Sequence, residues 1–193
     1  MLFDGIVFRN LLYRFLFFLF GLGVAMPYYS ATALHLSADA IEYDYNVQHI
    51  VASSNVDISA YGLQVETQKL DFRSNKNSIS IPHTFKLYNT RSSFTGDSLN
   101  YDLDSLSGHI SCLEGSLGRT HITGEEVIIN ESELIFNDAS FSTCTKDSDS
   151  VTYEIQSDRL TFYPQLGYFL AQDNRLSISF LPFKLWIPAF VYG

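Results

Sequence analysis

Five histidines, one pair of adjacent glutamates and two cysteines are the residues of this 193-residue chain whose types could carry out chemistry. A zinc site draws His, Cys or acidic ligands from short fixed spacings, such as HExxH on one helical face. His35, His49, His83, His109 and His121 are scattered without such spacing, and no HExxH occurs. Glu125 and Glu126 come nearest to paired carboxylates. Neighbours on a strand point to opposite faces, so these two are expected to diverge. Neither GxSxG nor a phosphate-binding glycine loop is present. The expectation is a protein that is not an enzyme, with no metal site and no cofactor. A polysaccharide-acting enzyme would need convergent carboxylates that this sequence does not offer. The cysteines suit an oxidising compartment. Cys112 follows Ile110 by two residues and reads as a small buried hydrophobe on the same face. Cys144 sits beside the polar loop 145–150. A Cys112–Cys144 disulfide would require their Cα atoms to come within about 7 Å, which spacing alone does not fix.

The elements that must position these side chains repeat. Asp97-Ser-Leu-Asn-Tyr101 reads acid, spacer, aliphatic, polar, aromatic. The pattern returns as Asp39-Ala-Ile-Glu-Tyr43, Gln68-Lys-Leu-Asp-Phe72, Glu125-Glu-Val-Ile-Ile129 and Asp158-Arg-Leu-Thr-Phe162. Successive boxes start 29, 29, 28 and 33 residues apart. A period of roughly 20–50 residues signals stacked units, none of which buries its apolar face alone. Inside each box the apolar residues are two apart and share one face of a strand. The leading acids Asp39, Asp97, Glu125 and Asp158 are expected to accept backbone amides near turns.

Between boxes the alternation continues. Ile50, Ala52, Val56 and Ile58 alternate, with Ser54 in the same register. Tyr61-Gly62, Ser74–Asn77, Gly115 with Gly118, and Asn130–Ser132 mark turns. This rhythm predicts an all-β domain, a sandwich, jelly roll or solenoid of short antiparallel strands. Ile50, Val56, Ile58, Val65, Leu87, Leu99, Ile110, Val127, Ile129 and Phe136 are expected to line one interior. Such a stripe fits either a closed core or an apolar groove. The 16 Phe and 12 Tyr favour strands. A net charge of −9 without a basic stripe argues against nucleic acid.

The two ends differ from the middle. Arg9 and Arg14, the apolar run Phe15–Ala25, Pro27 and Ala31-Thr-Ala33 read as a signal peptide over 1–33, leaving a domain over 34–193. Retention as an uncleaved anchor is the alternative, since Leu11-Leu-Tyr13 extends the apolar stretch. The last residues, Leu181-Pro-Phe-Lys-Leu-Trp-Ile-Pro-Ala-Phe-Val-Tyr-Gly193, are apolar where termini are usually polar. Their prolines forbid a central strand.

The boxes resemble the OstA-like repeats of the lipopolysaccharide-transport proteins. Ala139-Ser-Phe-Ser-Thr-Cys144, Tyr153-Glu-Ile and Leu181-Pro-Phe with Trp186-Ile-Pro188 are similar to the end of the periplasmic domain in the LptA–LptD family. The resemblance implies a twisted β-jelly-roll, open at both ends, whose interior groove carries lipid acyl chains. It implies a periplasmic location with access to the outer membrane, and edge-to-edge pairing with other lipopolysaccharide-transport proteins. The position of Cys144 matches one that the family uses for disulfides to a membrane β-barrel. No barrel follows in these 193 residues.

Overall fold

Apolar and polar residues alternate from His35 onward, and the chain becomes strand after strand. The computed structural model describes residues 35–60, 63–90, 92–118, 120–142, 153–179 and 181–192. The expected leader, Cys144 and the loop 145–150 lie outside the described residues. The strands are β1 (His35–Ser37), β2 (Ala40–Asp44), β3 (His49–Ala60), β4 (Leu63–Arg73), β5 (Ser78–Ile81), β6 (Phe85–Tyr88) and β7 (Ser92–Gly96). They continue with β8 (Ser98–Asp102), β9 (Ser107–Leu117), β10 (Thr120–Ile129), β11 (Leu134–Ser142), β12 (Tyr153–Tyr163), β13 (Tyr168–Ile178) and β14 (Leu185–Tyr192). All belong to one 14-stranded antiparallel sheet. The expected all-β fold is what forms.

Three pairs of short strands are halves of single passes. β1 and β2 both run along β3, β5 and β6 along β4, and β7 and β8 along β9. The main path through the sheet is eleven strands wide. Every pass breaks at the same level. Ser54-Asn55 of β3 bulges opposite Gln68 of β4. Farther along, the pairing skips Cys112 with Glu125, Asp138 with Asp158, and Asp173 with Pro188. Ser54, Asn55, Cys112, Asp138 and Asp173 take positive φ, between 46° and 62°, which small and polar side chains tolerate best.

At each break, a bulge in β3 and a skipped pair elsewhere, the strand bends and the side-chain alternation shifts by one residue. Thus Val65 and Thr67 are buried before the break in β4, and Leu70 and Phe72 after it. One face of the sheet is largely apolar and no helix among the described residues covers it, so the sheet closes on itself. It folds along the line of these breaks. Phe141 on one half meets Phe190 on the other, with ring centroids 5.6 Å apart.

Three expectations fail at this crease for that one reason, and a fourth, at Gly115, fails for another. Simple alternation puts Ser54 and Cys112 inside, yet both are exposed. It sends Glu125 and Glu126 to opposite faces, yet the skipped register leaves both on the outside, with Gly124 and Val127 facing in. Gly115 is not a turn residue: it lies within β9, pairs with Ile122 and Phe94, and a Cβ there would collide with the Ser93 carbonyl. Close strand approach, not chain reversal, requires that glycine.

Candidate functional site

The interior between the two layers collects the apolar stripe. Of its ten sequence-predicted residues, Val56, Ile58, Val65, Leu87, Leu99, Ile110, Val127, Ile129 and Phe136 are buried in one cluster. Ile50 is half-buried and packs against that cluster. In the middle of the sheet Val127 and Ile129 are 0% exposed. Each buried Leu, Ile or Phe side chain contributes about 1.5–3 kcal/mol.

Toward both ends the interior opens. Residues directly opposite in an antiparallel pair share a face. Ile41 faces Ala52 and Tyr43 faces Ile50, so both point inward, yet Ile41 is 53% exposed. At the other end Leu185 faces Leu176 and also points inward, yet is 41% exposed. Ile155, Leu176 and Ile178 beside it are only half-buried. The apolar lining therefore reaches solvent at two mouths, one at β2 and one at β14.

Lining without partners would leave β14 loosely held. Asn174, 0% exposed, holds it instead: its Nδ2 donates to the carbonyls of Ala171 (3.2 Å) and Ile187 (3.1 Å). Ser157 Oγ donates to Asn174 Oδ1 at 2.5 Å. The clamp sits beside Pro188, which falls at the crease, where the β13–β14 register skips a pair and no ladder bond is asked of its missing N–H. Among the described residues β14 pairs only with β13.

No family model matches the chain, and no curated protein does. One solved structure that it is similar to is LptH, the LptA-homologous periplasmic component of the lipopolysaccharide transport device of Pseudomonas aeruginosa. The two share 11% identity over 51% of this chain and 76% of that one, with a TM-score of 0.44. The likeness is slight. It assigns no role.

On the outer face of the crease the leading acids of the repeat line up with Cys112. They were expected to accept backbone amides, and the structure instead shows them with side chains. Asn55 Nδ2 donates to Asp39 at 2.8 Å, and Asp158 lies 3.8 Å from Arg175. The Cys112 thiol donates to Asp97, which with partial desolvation and the nearby Glu125 raises its pKa above the ordinary thiol value. That is the opposite of an activated nucleophile. Backbone amides are accepted by Asp44, Asn89 and Asp102 at true turns. Glu126 takes a bond from Asn137 at 2.7 Å and lies 2.9 Å from His109 Nε2. Among the described residues no three His, Cys, Asp or Glu side chains converge as metal ligands. Sequence reasoning missed Ile41, Leu185 and Asn174. Ile41 and Leu185 carry the same alternation as the core, and only the strand order reveals that they sit at its ends.

Proposed function

We propose that the chain is a periplasmic component of lipopolysaccharide transport and outer-membrane assembly, holding acyl chains in its β-jelly-roll interior and joining partner domains edge to edge. The observation that carries the reading is the exposure of inward-facing apolar residues at both mouths, Ile41 and Leu185. A core built only for stability has no reason to leave its lining open at two ends. An acyl chain laid there gains about 0.8 kcal/mol per buried CH₂. The strands at the ends of the sheet, β1 with β2 and β14, each have one unpaired edge among the described residues, which another strand can extend. The repeat boxes and the segment 139–188 resemble the family that works this way. Light-activated crosslinkers at Ile50, Leu99 and Leu185 should capture lipopolysaccharide, and ones at the outward-facing Glu42 and Asp71 should not. Equal capture at all five would refute an interior path.

A second reading is an assembly module with a filled core that binds no lipid. It is favoured by the middle of the sheet, where Leu99 and Ile110 are 2% and 1% exposed. Under it, the strand edges still pair with transport proteins while every interior crosslinker stays silent. Under the transport reading, the two layers part in the middle as a chain moves through.

A further inference from the structure

We propose that the two mouths are electrically unlike, and that the β14 mouth is the one that holds a lipid with an anionic headgroup. This rests on the transport reading above. The chain as a whole is acidic, with 12 basic and 21 acidic residues, which would repel a phosphorylated lipid. The acids are not spread evenly. Residues 159–193 carry the cations Arg159, Arg175 and Lys184 against a single acid, Asp173. Residues 34–158 carry seven cations and nineteen acids.

The rims of the mouths repeat this contrast. On β2, inward-facing Ile41 is flanked by outward Glu42 and Asp44, with Asp39 at the crease, all exposed. On β14, inward-facing Leu185 follows exposed Lys184, whose Nζ donates to the neutral amide of Gln156 at 3.0 Å. Arg175 stands opposite the exposed Trp186. Its partner Asp158 is 3.8 Å away, with both side chains 59% exposed, so solvent leaves much of its charge unneutralised. Asp158 and Glu154 sit on β12, one strand farther from the sheet's edge than Arg175. The mouths are ten strand spacings apart, roughly 50 Å, and charges at one are screened from the other beyond a Debye length of about 8 Å. Each rim therefore acts by its own charges. A lipid whose chains enter the lining and whose phosphates stay at the rim is repelled at β2 and attracted at β14.

The test uses the purified full chain with a light-activated crosslinker at Ile41 or at Leu185. The probes are phosphorylated lipid A and the same lipid with its phosphates removed. Leu185 should capture phosphorylated lipid A in excess over Ile41, and the excess should shrink as salt rises. Lys184→Gln and Arg175→Gln should each lower that capture about fivefold, leaving capture of the dephosphorylated lipid unchanged. Both substitutions lie on exposed side chains and keep the fold intact, which circular dichroism verifies. Equal capture at the two mouths, or the same loss for both lipids, overturns the polarity while the transport reading stands. Silence at both sites with either lipid overturns the transport reading and this inference together.

Discussion

The middle of the sheet and its two ends are written in the same residue types and behave differently. Leu99 and Ile110 face each other across β8 and β9, with strands on both sides and the opposite layer above, and they are 2% and 1% exposed. Leu185 occupies the equivalent inward position on β14 and is 41% exposed. The difference is in neighbours, since an end strand lacks one flanking strand and part of the opposite layer. An apolar stripe thus reports which way a side chain faces and not how much protein lies over it. The first decides the fold. The second decides where a ligand can reach.

The comparison breaks most visibly at Leu99. Leu99→Asp puts an unpaired charge in the packed middle and should abolish cooperative folding, read as loss of the denaturation transition. Leu99→Ala should cost about 2–5 kcal/mol, because the surrounding side chains cannot close the cavity. A milder loss of about 1–3 kcal/mol is expected for Asn174→Ala, which strips the clamp on β14. Hydrogen exchange should show that loss confined to β13 and β14. Leu185→Ala, by contrast, should cost less than about 1 kcal/mol, since it leaves no enclosed cavity. Denaturant midpoints for Leu99→Ala and Leu185→Ala that agree would erase the distinction between packed middle and open mouth.

High pH offers a sharper version of the same contrast. Tyr101 is 2% exposed, and burial raises its phenol pKa to about 12, with Asp102 adding to the effect. A raised value means that the folded state resists ionisation. Stability is therefore complete below the ordinary phenol value of 10.0 and falls as pH climbs from there toward 12. Tyr101→Phe should flatten that fall, measured as the change in denaturation midpoint between neutral and alkaline solution. An unchanged alkaline slope would mean that the phenol is hydrated in the fold.

Much of this architecture is legible in the residues. The box period of 28–33 residues gives the paired passes, and the two-residue spacing of Leu99 with Tyr101, or Val127 with Ile129, gives the buried face. The boxes even mark the crease, since Asp39, Gln68, Asp97, Glu125 and Asp158 all stand on it. What alternation cannot supply is the break itself. A period of two carried through Ser54 and Cys112 puts both inside, but β3 inserts a residue at Ser54-Asn55 and the β9–β10 ladder skips Cys112 with Glu125. Such breaks leave a weak signature, here a polar or small residue paired with the acid of the repeat or next to it. The mouths were illegible for another reason: exposure of Ile41 and Leu185 follows from strand order, a long-range property that no local pattern contains.

The smallest expected effect lies on the outer face of the packed middle. Glu126 sits between His109 and Asn137 on flanking strands. The Asn137 bond, followed by the His109 bond, holds its carboxyl below the ordinary value of 4.5, against a minor opposing effect of desolvation. A depressed value means that the folded state favours the carboxylate. The stabilisation is present above the unfolded value and is lost as pH falls through the folded one. Because the side chains of His109 and Glu126 are 43% and 46% exposed, solvent and salt screen the interaction, and only a slight shift is expected. Glu126→Gln should keep the Asn137 bond through its carbonyl and remove the titration. Wild type should therefore lose more stability than Glu126→Gln between neutral pH and the acid side of 4.5, and the gap should narrow at high salt. The bonds from Ser105 that depress Asp102 are present in both proteins, so they cancel in the comparison. Parallel acid curves for the two proteins would show that the strand-to-strand bonds of Glu126 add nothing to a middle already held by its core.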